Sequence, residues 1–431
     1  MSLIPKVMLD STISPSMTMV TSSQLPQELY DKIIDNLHDD PVSLKHCTLA
    51  SRFLVPRSQH YLFSSIHLSS VARVHRLYNI LTNSPHLSER VRELHLSPGM
   101  NAWMASSEPY LFHILSTLTA LTTLRISALP GNVIWHRDIL PQTTAVIVQL
   151  VCLPSLTTFE VCAMGGVPLD FFTIRKHLTY LRLKKVTFSR IPQSDIISAM
   201  TTDKLELYLS HAGFRLDEQL LVSFTRPGAL FSRVKVLIVH YIKREPQLAL
   251  EILKASARSL RKIEFRAMFE HNKVEPQNLV INFDLMPNLD HLVFRVNALT
   301  STAWAFESTC AIALINLHRF ININSSVGRI RYLTIIIVGH KQPDGGSSNW
   351  SSTLIPAMPH IFSKLANIDY MLDEGRGVPP ESPFRVEVLL ELHGWSLNEL
   401  SAVRLAWKRR LVSYMPFASI GGRLVCEVKM T

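Results

Sequence analysis

Apolar residues follow two patterns in this chain, and the change between them divides the sequence. From Leu25 to Leu37 they recur every fourth position, at Leu25, Leu29, Ile33 and Leu37, with Ile34 widening the stripe. That spacing predicts an amphipathic helix with Gln27, Asp31, Lys32, Asp35 and Asn36 on its polar side. Pro26, Pro41 and Pro56 can each open a helix, because the missing N–H has no intrahelical partner in the first turn and the fixed φ already fits. Asp40 directly precedes Pro41 and is a ready N-cap, while Glu28 and Asp31 set negative charge near the positive end of the first helix. Three short helices are expected before Ile66-His67-Leu68 opens the next element. A helix of about a dozen residues is marginal alone in water, so the apolar stripe must be buried against something.

Beyond residue 69 the period changes. A six-residue phrase with apolar residues at its first, fourth and sixth positions starts at Val91, Leu121, Leu156, Leu178, Val234, Leu260 and Leu289, and a shortened copy starts at Leu205. Weaker copies start at Ile330 and Leu365. Alternation over the last residues of the phrase is strand periodicity, with Leu, Ile, Val or Phe turned inward and Arg, His, Glu or Tyr turned out. Amphipathic stretches such as Tyr110–Leu115 and Leu248–Lys254 lie between the phrases, so strand and helix alternate at intervals of about 22 to 41 residues. No unit of that size buries its own apolar face, which predicts stacked units with parallel strands. The fold class expected is therefore α/β, a solenoid with helical returns; a compact α/β domain with one twisted sheet is the alternative. Outward strand residues Arg92, His95, Arg125, Glu160, Arg182, Tyr208, Ile238, Glu264 and Val293 should line the concave face of such a solenoid.

The first segment resembles the F-box family. The family's opening Leu-Pro-x-Glu-Leu, its paired aliphatics and its closing Leu fall on Leu25, Pro26, Glu28, Leu29, Ile33, Ile34 and Leu37. The segment is most similar to F-box proteins of basidiomycete fungi, where Asp-Asp-Pro and Pro-Arg-Ser recur as at Asp39-Asp40-Pro41 and Pro56-Arg57-Ser58. The tryptophan that commonly follows in the second helix is Leu54 here, which keeps apolar volume and gives up aromatic area. The later phrases resemble the irregular leucine-rich repeats that follow the F-box in many fungal members. The resemblance implies a substrate receptor: a Skp-type adaptor, and through it a cullin, docking on Leu25, Pro26, Leu29, Ile33, Ile34, Leu37, Leu49 and Val55, with the repeats holding a target protein. From the residues themselves, 1–23 read as a flexible leader and 384–431 as a terminal repeat or cap whose helix, around Trp395, Leu400, Leu405 and Trp407, closes the solenoid end; the resemblance sets 24–68 as the F-box and 69–383 as irregular repeats. It also implies a cytoplasmic or nuclear location.

Composition narrows the alternatives. With 431 residues, 47% hydrophobic and 18% charged, the chain can bury a large core and is not of disordered composition. Its longest apolar runs, Ala145–Leu153 and Ile335–Val338, read as a buried helix and a buried strand, and both fall short of the roughly 20 residues of a membrane span. The N-terminus lacks a basic start and apolar core of the secretory kind. Five scattered cysteines suggest neither a disulfide framework nor a zinc set, and the sequons at Asn324 and Asn349 carry weight only in a secreted protein. No His-Glu-x-x-His, Gly-x-Ser-x-Gly or Cys-x-x-Cys pairing appears among the eighteen histidines and five cysteines, and the glycines near Gly345 lack the ending of a phosphate loop. The expectation is a non-enzyme without metal or cofactor. A net charge of +10 raises nucleic-acid binding as a competing function, but the cations are dispersed and Lys408-Arg409-Arg410 is short; an acidic protein partner accounts for the excess better. A scaffold that binds the adaptor without presenting a target is the remaining alternative.

Overall fold

The computed structural model describes residues 26–97, 103–106, 108–128, 134–174, 176–189, 200–208, 218–240, 246–266, 280–298, 303–324, 327, 330–340, 358–374, 384–393, 397–420 and 422–430. The expected leader, Leu25, Trp395 and the glycine-containing stretches at 341–349 and 375–380 lie outside them. The chain forms two compact units, residues 1–63 and 64–431.

The first unit holds α1 (Gln27–Asp35), α2 (Pro41–Ala50) and most of α3 (Val55–Ser64). Pro41 occupies the first position of α2, and the Asp40 carboxylate caps it by accepting from the amides of Val42 and Ser43 at 3.0 and 3.1 Å. Pro26 stands one place earlier than expected, as the N-cap of α1. A polar clamp joins α1 to α3: Asp35 accepts from Arg57 Nε at 2.6 Å and from the Tyr61 hydroxyl at 2.9 Å. The Arg57 and Tyr61 hydrogen bonds hold the Asp35 carboxyl below its ordinary range.

The second unit is built on one sheet of twelve parallel strands in sequential order. Its first half runs β1 (Ser65–Leu68), α4 (Val71–Asn83), β2 (Glu93–Leu96), α5 (Trp103–Ser106), α6 (Glu108–Thr117), β3 (Thr123–Ser127), α7 (Trp135–Asp138), α8 (Pro141–Cys152), β4 (Thr158–Val167), α9 (Asp170–Thr173), β5 (His177–Phe188) and β6 (Thr201–Tyr208). The second half runs α10 (Glu218–Thr225), β7 (Val236–His240), α11 (Pro246–Ser256), β8 (Lys262–Arg266), β9 (His291–Ala298), α12 (Ala303–Ile323), β10 (Tyr332–His340), α13 (Pro359–Glu374), β11 (Arg385–His393), α14 (Leu397–Tyr414), α15 (Pro416–Ile420) and β12 (Leu424–Met430). An order that never reverses has no switch point, and connections of the usual right-handed sense then bring the described helices between its strands to one face. That ordering is the one expected for stacked units and excludes the doubly wound arrangement.

Alternation decides which side chains meet the helices. Leu94 and Leu96, Leu124 and Ile126, Phe159 and Val161, Leu205 and Leu207, and Phe265 and Phe294 are all buried to within 1%. Phe159 packs on Phe171 of α9, and Phe265 and Phe294 pack on Phe320 of α12. Backbone amides just ahead of each strand also link the units. The Arg92 carbonyl accepts from Thr122 N and Thr123 N, the Thr122 carbonyl from Thr157 N and Thr158 N, and the Lys235 carbonyl from Arg261 N and Lys262 N. Hydroxyls extend this ladder, with Thr122 Oγ1 donating to the Arg92 carbonyl at 3.0 Å and Ser259 Oγ to that of Val234 at 2.9 Å.

In β4 and β5 the register passes through a matched irregularity. Ala163 and Lys185 both lie at positive φ, 55° and 53°. The inward sequence thereby steps by three, from Val161 to Met164 and from Leu183 to Val186, all fully or almost fully buried. Gly166 follows at φ 64°, where a Cβ would also stand 3.1 Å from His136 Nδ1.

Two sequence expectations are corrected. Leu365–Tyr370 is not a strand but the middle of α13, because Ile361, Phe362, Leu365 and Ile368 recur at helical spacing and are buried. The helix near Trp407 exists as α14, yet it does not close the sheet: β12 follows and pairs with β11 as the last strand.

Candidate functional site

Two surfaces gather the residues singled out by the sequence. The first lies on the helical unit. Pro26 is exposed, and Leu29 and Ile33 are 42% and 50% exposed on α1, while Leu49 of α2 is 86% exposed. Leu37 and Val55 are half-buried. The expected burial of the Leu25–Leu37 stripe is therefore not met within the chain: α1 buries Ile34 completely, one position off that stripe, and turns Leu29 and Ile33 outward. Ile34 is fully buried, so this structure does not present it as a contact residue. Val42 adds a further apolar side chain, 61% exposed, that the sequence reading passed over. Leu54, where the aromatic residue was expected, is half-buried in the turn before α3.

The second surface is the face of the sheet opposite the helices. Strand register places His67, His95, Arg125, Glu160, Arg182, Glu206, Ile238, Glu264, Val293, Thr334, Glu387 and Val425 in one row across all twelve strands. His95, Arg125, Glu160, Arg182, Ile238, Glu264 and Val293 thus share a row, as outward alternation implied. Tyr208 is on the same face two residues further along β6, beside His240 of β7. Arg92 is a correction: it precedes β2, has the parity of Leu94, and its guanidinium donates to the Ala120 carbonyl at 2.9 Å.

The middle of the row is an ionic network. Glu160 accepts from Arg125 Nε at 3.2 Å and from Arg182 Nη1 at 3.5 Å. Glu206, only 3% exposed, is reached by the Tyr180 hydroxyl, by His240 Nε2 at 2.8 Å, and by Arg182 and Arg266, each at 3.4 Å. Glu264 accepts from Arg266 Nε at 2.5 Å. Burial alone would raise the Glu206 carboxyl, but the hydrogen bonds from His240 and Tyr180 and the Arg182 and Arg266 charges bring it down to about 2. Burial pushes His240 below its ordinary value, so a neutral ring with its proton on Nε2 is the species that donates to Glu206. Tyr208 stacks on His240 with ring centres 3.5 Å apart and accepts from Arg182 Nη2 at 2.8 Å. At β9 to β11 the same face turns apolar, where Val293, Ile336, Val338 and Leu389 form a buried cluster.

Glu206, Tyr180 and His240 are the residues that sequence reasoning underrated, because their weight comes from cross-strand neighbours 24 to 60 positions away. Among the described residues no group of three His, Cys, Asp or Glu side chains could hold a metal ion, and no helix is long and apolar enough to cross a membrane. Glu206 is ringed by four donors, while Glu160 and Glu264 are each held by arginine, an arrangement that fixes charge on this face of the sheet. No family model and no curated protein matches the chain.

Proposed function

We propose that the chain is an F-box substrate receptor, docking a Skp-type adaptor through its helical unit and presenting a target protein to a cullin-based ubiquitin ligase through a leucine-rich-repeat sheet. The observation that carries the reading is the apolar surface of the helical unit, where Leu29, Ile33, Val42 and Leu49 stand in solvent while Ile34 and Leu44 are buried. Exposed aliphatics grouped on two short helices mark a partner surface, and they lie in the segment whose order resembles the F-box. Adaptor contacts would then be Pro26, Leu29, Ile33, Val42 and Leu49, with Leu37 and Val55 at the margin. The sequential parallel sheet supports the repeat reading, since stacked units present a long face to a protein partner. In this account the chain performs no chemistry itself; it supplies proximity between target and conjugating enzyme in the cytoplasm or nucleus.

Reconstitution tests the whole reading. Purified full-length chain is mixed with adaptor, cullin, RING subunit and conjugating enzyme, and bound proteins are followed for ubiquitin transfer. Assembly with transfer to a captured protein supports a receptor. Assembly without transfer to any captured protein points to the scaffold alternative, and failure to assemble removes both.

A further inference from the structure

We propose that the face of β5 and β6 opposite the helices binds an extended acidic segment of a partner protein, with carboxylates spaced at positions i and i+4. The identification of that partner as a target rests on the substrate-receptor reading; the binding chemistry does not.

The outward positions of β4 to β8 carry five cations, Arg182, Lys184, Lys204, Lys262 and Arg266, against three carboxylates, Glu160, Glu206 and Glu264. All three carboxylates are buried and bonded to arginine, so they offer little free negative charge to a visitor. The lysines are the excess. Lys184 Nζ lies 4.7 Å from the centre of the Tyr208 ring and Lys204 Nζ 4.6 Å from that of Tyr180, and neither has a carboxylate partner among the described residues. Register pairs Lys184 with Tyr208 and Lys204 with Tyr180, which makes two crossed Lys–Tyr pairs on the same two strands. They flank the Arg182–Glu206 pair, four residues apart along the strand direction.

Four residues of strand span about 13 Å. An extended peptide lying along the strands repeats that distance between side chains i and i+4, so its two carboxylates can each meet one ammonium. Its i+2 side chain falls over Arg182 and Glu206, which already neutralise each other, and should be uncharged. This central condition separates a peptide from a nucleic acid. A nucleic acid carries a phosphate at every nucleotide and would set negative charge over the Glu206 row.

The test uses full-length chain and fluorescein-labelled extended peptides. One carries glutamates at i and i+4, a second at i, i+2 and i+4, and a third carries lysines in place of the glutamates. The proposal expects the first to bind, the second to bind less tightly, and the third not to bind. It expects the first affinity to fall at least about tenfold between about 50 and 300 mM salt, since exposed charge pairs are screened over about a Debye length. Lys184→Gln with Lys204→Gln should weaken it at least about tenfold, and the charge-reversed pair should weaken it further. Equal affinity in the glutamine variant, no binding of the first peptide at low salt, or tighter binding of a single-stranded RNA oligonucleotide would overturn it. Adaptor affinity is measured on the same samples. Peptide binding without adaptor binding removes the F-box reading alone, and adaptor binding without peptide binding removes this inference alone.

Discussion

Replacing Glu206 by glutamine puts a number on the ionic network. The carboxylate has four donors around it and is almost wholly buried. The gap between its ordinary value of 4.5 and its folded value of about 2 amounts to roughly 3 kcal/mol at about 1.4 kcal/mol per pH step. Because the folded value is the lower one, this stability is complete above about pH 4.5 and is lost as pH falls toward about 2. Glutamine can keep its one acceptor oxygen on His240, Arg182 and Arg266, but it removes the negative charge they face and turns its amide toward the Tyr180 hydroxyl, while the other carboxylates of the two arginines, Glu160 and Glu264, remain. We expect Glu206→Gln to cost about 2–3 kcal/mol at pH 7, and Glu206→Ala, which leaves Tyr180 and His240 without their acceptor, about 3–5 kcal/mol. Urea unfolding followed by circular dichroism, together with hydrogen exchange of β5 to β7, measures both. The gap between wild type and Glu206→Gln should hold constant from pH 7 down to about pH 4.5 and narrow from there toward about pH 2. A glutamine variant as stable as wild type at pH 7, or a gap independent of pH, would refute the account of the network.

Other outcomes follow from individual residues. Arg57→Ala should raise the hydrogen-exchange rates of α1 and α3 together, because it unlinks Asp35 from the third helix. Trp407 is completely buried and its Nε1 has no hydrogen-bond partner among the described residues, so Trp407→Phe should cost under about 1.5 kcal/mol where Trp407→Ala costs about 3–5, in urea denaturation. Lys185→Gly should be neutral or stabilising by up to about 1 kcal/mol, since a left-handed non-glycine backbone costs about 1–2 kcal/mol and glycine removes that strain at some entropic cost; a clear loss of stability would show that the lysine side chain matters to the bulge. Ile34→Asp should unfold the helical unit, read as loss of its slow-exchanging amides, because it buries an unpaired charge.

Much of the sheet was legible because period-two alternation is a local signal. Every phrase from Val91 to Ile330 coincides with a strand or leads into one. Leu365–Tyr370 misled because its apolar positions fit both a strand phrase and a helix, and only burial of the neighbouring Ile361 and Phe362 decides between them. Strand β12 escaped notice because its Glu427 and Lys429 alternate with modest apolar residues at the edge of the sheet. On the helical unit, spacing identified the apolar residues of α1 but not their direction. Ile34 and Ile33 are adjacent in sequence and opposite in fate, a distinction set by how the helices pack. The row from His95 to Val293 followed from alternation alone; the saturation of Glu206 did not, since it depends on residues brought together across four strands.

The central claim is that the exposed aliphatics of α1 and α2 form the adaptor-docking face. Titration calorimetry of the full-length chain with a Skp-type adaptor tests it most directly, comparing wild type with Ile33→Asp and Leu49→Asp combined. Both side chains are in solvent, so the variant should keep its circular dichroism and unfolding midpoint. Each lost aliphatic contact is worth about 1.5–3 kcal/mol, so together they should weaken binding at least about a hundredfold. Undiminished affinity in the folded double variant, or no adaptor binding by the wild-type chain, would contradict the account.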